Sequence, residues 1–375
     1  MGDMKKFIII VGILIFGVVL MFHQFNIKIF DDNIREILLK IDVEPFEDLV
    51  TCESNEEFNV VCGFSNPEDL ALTPDGEYFI LSEYGGQKPI QEVLPGNLSL
   101  FHIPTRTKQV LPMSFGENIW GDDSCTRTKN EIIAPHGLDL IERADGKLQL
   151  GVVSHLPNER VEMFEVVNGE DGWAVVWMGC VSTNDKYYLN DVSLRPNGSF
   201  YASHMFDIDF SLANWIFNYF FKFDTGFVIN WTPSGGFVEL QDTAGSYPNG
   251  IMLDLEKNNI VVNYNLGDET RLFDLDNMKL LGVFKNNGPD NVVLRDGYIW
   301  VTWHNFGLQD FQKCTGNLNC TLPWSLSKLD RGNLEELETY SFESKNMGVG
   351  TVGFKVKDEI WFGSFKSDRL AYIKL

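Results

Sequence analysis

YYLNDVSLRPNGSFYASHMF, residues 187–206, holds an apolar run, a polar Asn-Gly turn and a second apolar run, with Asn190-Asp191 just ahead of the first. Apolar runs of this length on either side of Asn-Gly read as a β-hairpin. The same unit recurs in both directions along the chain. LALTPDGEYFIL begins at Leu70, DLIERADGKLQLGVV at Asp139 and VSLRPNGSFYAS at Val192. IMLDLEKNNIVVN follows from Ile251, VVLRDGYIWVTW from Val292 and VGFKVKDEIWFGSF from Val352. The spacing of about 40 to 70 residues matches propeller blades of ~40–50 residues once loops are added. Six such units predict an all-β fold, a six-bladed β-propeller, in which radial repetition leaves only short, protected edges. A β-sandwich does not account for six similar units.

A second regularity stands in front of five of the six hairpins. Pro67-Glu68-Asp69-Leu70, Pro135-His136-Gly137-Leu138, Leu189-Asn190-Asp191-Val192, Pro248-Asn249-Gly250-Ile251 and Pro289-Asp290-Asn291-Val292 share one pattern, which Met347-Gly348-Val349-Gly350 lacks. Taken singly, such dipeptides are turn formers. Repeated at one position of a propeller, they face a common channel. Glu68, Asp69, Asn190, Asp191, Asn249, Asp290 and Asn291 then converge, and mixed carboxylate and amide oxygens suit a hard cation, calcium above magnesium or zinc.

Composition agrees with a folded, acidic chain: 375 residues, 53 acidic against 30 basic side chains, net charge −23, 44% apolar and 13% aromatic. A nucleic-acid partner is excluded by the absence of a basic excess. Lys5 and Lys6 precede the apolar run Phe7–Phe22. With no small-residue cleavage pattern after it, this run predicts an uncleaved signal-anchor over residues 1–30, membrane lipid as a partner, and a propeller on the extracellular or lumenal side. Ile34, Ile37, Leu38 and Ile41 predict an amphipathic helix and linker over 31–48, which leaves 49–375 for the propeller. Cys52, Cys62, Cys125, Cys180, Cys314 and Cys320 show no CxxC pair and predict disulfides of unassigned pairing. Sequons at Asn97, Asn197, Asn230 and Asn319 agree with a secretory, glycosylated protein.

Among six histidines, His136 occupies the channel-mouth position of the second unit, and His155 ends the second strand of that hairpin. Adjacent strands bring the two rings together, so that one can activate water while the other fixes its tautomer. His304 and, with a weaker case, His204 follow strands at the same end and are candidates for a substrate pocket. The aromatic stretch IDFSLANWIFNYFFKF, residues 208–223, predicts a helical lid that also touches the membrane interface. No G-x-S-x-G elbow is present, which argues against a serine hydrolase.

The stretches PEDLALTPDG, APHGLDL, GVVSHLPNERVEMFEV, YYLNDVSLRPNGSFYASHMF, YPNGIML and GPDNVVLRDGYIWVTWHN, in that order, resemble the calcium-dependent paraoxonases, six-bladed lactonase and arylesterase propellers. The resemblance runs from about Asp31 to near the C-terminus. It implies a catalytic calcium held by Glu68, Asn190, Asn249, Asp290 and Asn291. It also implies a structural calcium held by Asp69, Asp191 and the backbone carbonyl of Leu138. His136 and His155 match the family's histidine dyad, with Glu68 the rival general base. The implied activity is hydrolysis of small lactones and aryl esters; the alternative is a membrane-anchored scaffold or assembly factor that lost the chemistry. One departure is visible. The family joins an N-terminal cysteine to one near the C-terminus, whereas here no cysteine follows Cys320. Closure of the ring therefore falls to strand pairing or to another bridge.

Overall fold

The computed structural model describes residues 51–375 apart from 86, 89–91, 171, 306, 308–309, 311–313, 315–319 and 344. The expected anchor, residues 1–30, and the whole of the segment 31–48 with its linker lie outside the described residues. The chain divides into two compact units. The larger, Pro45–Ile208 with Lys222–Leu375, is the propeller.

Blade 1 is built from Pro67–Leu72, Tyr78–Glu83, Asn97–His102 and Thr107–Val110. Blade 2 takes Pro135–Glu142, Leu148–Ser154, Arg160–Gly169 and Gly172–Ser182, with Met113–Phe115 added in parallel at its outer edge. Blades 3, 4 and 5 are four-stranded antiparallel sheets that begin at Tyr187–Leu194, Pro248–Asp254 and Pro289–Arg295. Blade 6 is Gly350–Val356, Glu359–Ser364 and Arg369–Lys374, completed by Asn59–Cys62. The first strands of successive blades touch one another in a closed ring, so they are the innermost.

Each hairpin forms because its apolar residues fill the gap between neighbouring blades. Ile80, Leu100, Leu150, Phe164 and Trp177 pack between blades 1 and 2. Val153, Val161, Val192, Phe200 and Trp231 pack between blades 2 and 3. The seam between blades 6 and 1 is aromatic, with Phe58, Phe79, Phe101, Trp361 and Phe362 at 0% exposure. Ring closure there uses strand pairing, Asn59 opposite Tyr372 through Cys62 opposite Arg369. All six cysteines pair, as Cys52–Cys62, Cys125–Cys180 and Cys314–Cys320. None of these bridges joins the two ends of the chain. Such pairing belongs to oxidising compartments.

The innermost strand of every blade carries one extra residue relative to its partner. The register shifts between Pro67 and Asp69, between Pro135 and Leu138, between Leu189 and Val192, between Pro248 and Ile251, between Pro289 and Val292, and between Gly350 and Val352. A bulge bends the strand and re-aims the side chains beside it. The motif repeated along the sequence is therefore a repeated bulge. Blade 6 has it too, at Gly350-Thr351. It lies just beyond Met347–Val349, which is why that stretch lacks the polar pattern.

Within residues 208–223 a ten-residue helix, Leu212–Phe221, does form. The Ser211 hydroxyl accepts the Asn214 N–H at 3.1 Å and caps it. This helix belongs to the smaller unit, and the structure gives the expected lid role no support. No helix among the described residues is long and apolar enough to cross a membrane. Asn97 and Asn197 are exposed and Asn230 half-buried; Asn319 lies outside the described residues.

Candidate active site

The six bulges deliver the channel-mouth side chains. Glu68, Asp69, Asn190, Asp191, Asn249, Asp290 and Asn291 are all buried, none more than 6% exposed. Their oxygens divide into two sets. Glu68 Oε2, Asn190 Oδ1, Asn249 Oδ1 and Asn291 Oδ1 are buried without any hydrogen-bond partner. Asn291 Nδ2 donates to the other Glu68 oxygen at 2.9 Å, which orients both side chains and leaves the unpartnered oxygens aimed elsewhere. An orphaned buried oxygen costs about 1–3 kcal/mol. Four of them, from blades 1, 3, 4 and 5, are what an oxygen-seeking cation requires. Among the described residues no three His, Cys, Asp or Glu side chains form a metal cluster, so the set is amide-rich and unlike a zinc site.

Asp69 and Asp191 behave differently. Asp69 accepts the Leu70 N–H at 2.8 Å and the Leu138 N–H at 2.9 Å. Asp191 accepts the Val192 N–H at 2.7 Å and the Ile251 N–H at 2.9 Å. Each carboxylate thus stitches its own blade to the next. Leu138 meets Asp69 through its N–H, and its carbonyl is the atom assigned from the resemblance. Gly137 permits the close approach of blade 2 to blade 3, because a Cβ there would fall 2.3 Å from Asp191 Oδ1.

Electrostatically the cluster lacks a cation. Among the described residues no lysine or arginine pairs with Glu68, Asp69, Asp139, Asp191 or Asp290. Burial, then the charges of Asp69, Asp290 and Asp191, push the Glu68 carboxyl well above its usual range. Burial and Asp69 do the same to Asp191. Burial holds Asp69 at about 7 despite its two backbone donors. Asp139, which sequence reading passed over, is raised to about 6 by burial and accepts the Leu194 N–H at 2.8 Å. Asp139 sits one position beyond Leu138, where a simple hairpin reading expects an ordinary strand residue.

The histidine pair is assembled as expected. His136 Nδ1 lies 2.8 Å from His155 Nε2. His136 Nε2 lies 3.9 Å from Glu68 Oε1. His136 stacks on Tyr84 and His155 on Tyr188, with centroids 4.6 and 4.4 Å apart. Burial and the neighbouring His155 depress His136 well below the ordinary histidine range, so it stands as a neutral base. A third member was not anticipated: Glu159 Oε1 is 2.7 Å from His155 Nδ1. Its only signal in the sequence is an acid four residues after the histidine, in SHLPNE.

His304 joins the site, its Nε2 being 3.3 Å from Asp290 Oδ2 and 3.1 Å from the Gly350 carbonyl. His204 is bonded elsewhere. Its Nε2 is 3.3 Å from Asp207 Oδ1 and its ring lies against Tyr187 and Phe227. From Tyr188 the aromatic contacts continue to Phe206 and on to Tyr247, at 4.8 and 4.9 Å. An aromatic arc therefore flanks the histidines.

Comparison with solved structures places this architecture. The fold is that of luciferin-regenerating enzyme. The two match over 84% of this chain and 93% of the other at a TM-score of 0.51, with 9% identity. A periplasmic gluconolactonase from Pseudomonas aeruginosa matches at 16% identity over 82% and 81%, TM-score 0.47. A gluconolactonase from Xanthomonas campestris matches at 11% over 89% and 96%, TM-score 0.48. At such identities the likeness is one of fold. No family model matches the chain, and neither does any curated protein.

Proposed function

We propose that this protein is a calcium-dependent hydrolase of lactones and aryl esters, of the paraoxonase type that its motifs resemble. The observation that carries the reading is the meeting of two features at one channel mouth: four orphaned buried oxygens, and a neutral histidine 3.9 Å from Oε1 of Glu68, whose Oε2 is one of the four. Glu68, Asn190, Asn249, Asp290 and Asn291 would hold one calcium; Asp69, Asp191 and the Leu138 carbonyl would hold a second, structural one. Bound there, calcium supplies positive charge to the negative oxygen that develops as an acyl carbonyl is attacked.

The chain's own groups do the rest. His136 Nε2 takes the proton of a water as that water attacks the acyl carbon, and returns a proton to the departing alkoxide. His155 holds the His136 ring through the 2.8 Å bond. The aromatic arc Tyr188–Phe206–Tyr247 offers an apolar wall for an aryl or long acyl group. A gluconolactonase among proteins of like fold agrees with lactone chemistry on this architecture. A scaffold that had lost the chemistry would have no use for four unpartnered buried oxygens, each of which costs stability. The hydrophobic run Phe7–Phe22 would anchor the enzyme, with the propeller extracellular or lumenal.

The test is hydrolysis of a lactone panel and phenyl acetate by the metal-stripped protein, with and without added calcium. Turnover that appears only with calcium supports the reading; none on any substrate in saturating calcium removes it.

A further inference from the structure

We infer that Glu159 is a positioning residue that sets the tautomers of both active-site histidines, so that His136 presents a bare Nε2 to the channel. The inference deepens the proposed hydrolase reading and rests on it for the identity of the reaction, but not for the tautomers themselves.

The geometry allows one arrangement of hydrogens when Glu159 is a carboxylate and both rings are neutral. Glu159 is 8% exposed, and its main-chain carbonyl is held by the Thr183 N–H and hydroxyl, both at 3.1 Å. Its Oε2 accepts the Leu189 N–H at 3.1 Å, a donor that cannot turn away. Its Oε1 lies 2.7 Å from His155 Nδ1. A carboxylate only accepts, so the hydrogen of that contact belongs to His155 Nδ1. A neutral His155 then has a bare Nε2, which must accept. Its partner at 2.8 Å is His136 Nδ1, which must therefore carry a hydrogen. Neutral His136 is left with its lone pair on Nε2, the nitrogen nearest Glu68. Two hydrogen bonds away from His136, Glu159 decides which nitrogen can act as the base.

The amide variant makes this testable, because it reverses the logic while preserving shape. In Glu159→Gln the fixed Leu189 N–H claims the amide oxygen, which turns the amide NH2 toward His155 Nδ1. His155 must then accept at Nδ1 and carry its hydrogen on Nε2. His136 Nδ1 becomes the acceptor, and its hydrogen moves to Nε2, where it blocks proton removal from water. An amide in place of a buried orienting carboxylate costs about 10⁴ in a serine-protease triad for the same reason.

The experiment records long-range ¹H–¹⁵N spectra of histidine-labelled, full-length protein, with His136 and His155 assigned through single His→Gln variants. Wild type should show hydrogen on Nδ1 of both rings. Glu159→Gln should move it to Nε2 of both, and lower kcat on a good lactone roughly 10²–10⁴-fold with KM changed no more than ~3-fold. Glu159→Asp keeps an acceptor toward both donors and should retain the wild-type ring pattern and most of the turnover. A bare His155 Nδ1 in wild type, or an unchanged ring pattern in Glu159→Gln, would overturn the inference. If Glu159→Gln does not fold, the wild-type and Glu159→Asp spectra decide it alone. A tautomer swap in a protein that hydrolyses no lactone would uphold Glu159's role and refute the hydrolase reading.

Discussion

If the channel holds calcium as proposed, stripping it should uncover a pH dependence of stability that the metal would otherwise hide. Asp69 is 5% exposed, crowded by other acids, and raised by burial from 3.8 to about 7. Its pKa is thus higher in the folded than in the unfolded state, so folding favours its protonated form. The stability tied to that proton is fully present below about pH 4 and is lost as pH rises through 7. At 1.36 kcal/mol for each tenfold change in proton affinity, Asp69 alone accounts for about 4 kcal/mol lost by pH 8. Asp139, raised to about 6, pulls the same way. Roughly 3 of those 4 kcal/mol fall between pH 5 and pH 8, and in a large domain about 2 °C accompanies each, so Asp69 alone should lower the melting temperature by roughly 5 °C over that range. Calcium bound at the proposed sites would substitute for the proton and should flatten the curve, while adding about 2.7 kcal/mol per site at a hundredfold excess over Kd. The assay is thermal unfolding by circular dichroism in metal-free buffer, repeated with calcium. Asp69→Asn should reduce the slope in metal-free buffer and lower stability in calcium. Metal-stripped protein as stable at pH 8 as at pH 5 would refute the reasoning.

Three further outcomes are expected. His136→Gln should lose about 10²–10⁴ in turnover while calcium affinity, measured by titration calorimetry, stays at the wild-type value; retained turnover would transfer the role of base to Glu68. Gly137→Ala should destabilise by about 1–3 kcal/mol and weaken calcium binding, since its Cβ would meet Asp191 Oδ1 at 2.3 Å and Asp191 Cα at 2.6 Å. Denaturant midpoints check that effect, and an unchanged midpoint would show that blades 2 and 3 can part without cost. Protein made in cells should begin near Met1 and pellet with membranes after a carbonate wash; a mature N-terminus beyond residue 22 would remove the anchor.

The six hairpins and the residues that ring the channel mouth are legible along the chain. Alternating apolar strands, Asn-Gly and Asp-Gly turns and the extra residue of each bulge act within a few positions, so Asn190-Asp191 and Asn249-Gly250 announce their geometry locally. The histidine pair was legible for the same reason, because both rings stand on one hairpin. Tertiary structure alone decided the rest. Thr351 occupies the sixth bulge although its neighbours share none of the motif, since the register of blade 6 is set by pairing with Glu359–Ser364 rather than by turn chemistry. Closure by Asn59–Cys62 joins segments some three hundred positions apart, and nothing local in either one names its partner. His204 looked like a channel residue by position, yet Asp207 and Tyr187 engage it. Glu159 gained its role because blade 3 supplies the Leu189 N–H that holds its second oxygen. Hairpins and bulges are local chemistry. Which carboxylate meets which ring depends on how separate blades pack, because only burial brings such distant groups within reach and makes their charges costly enough to matter.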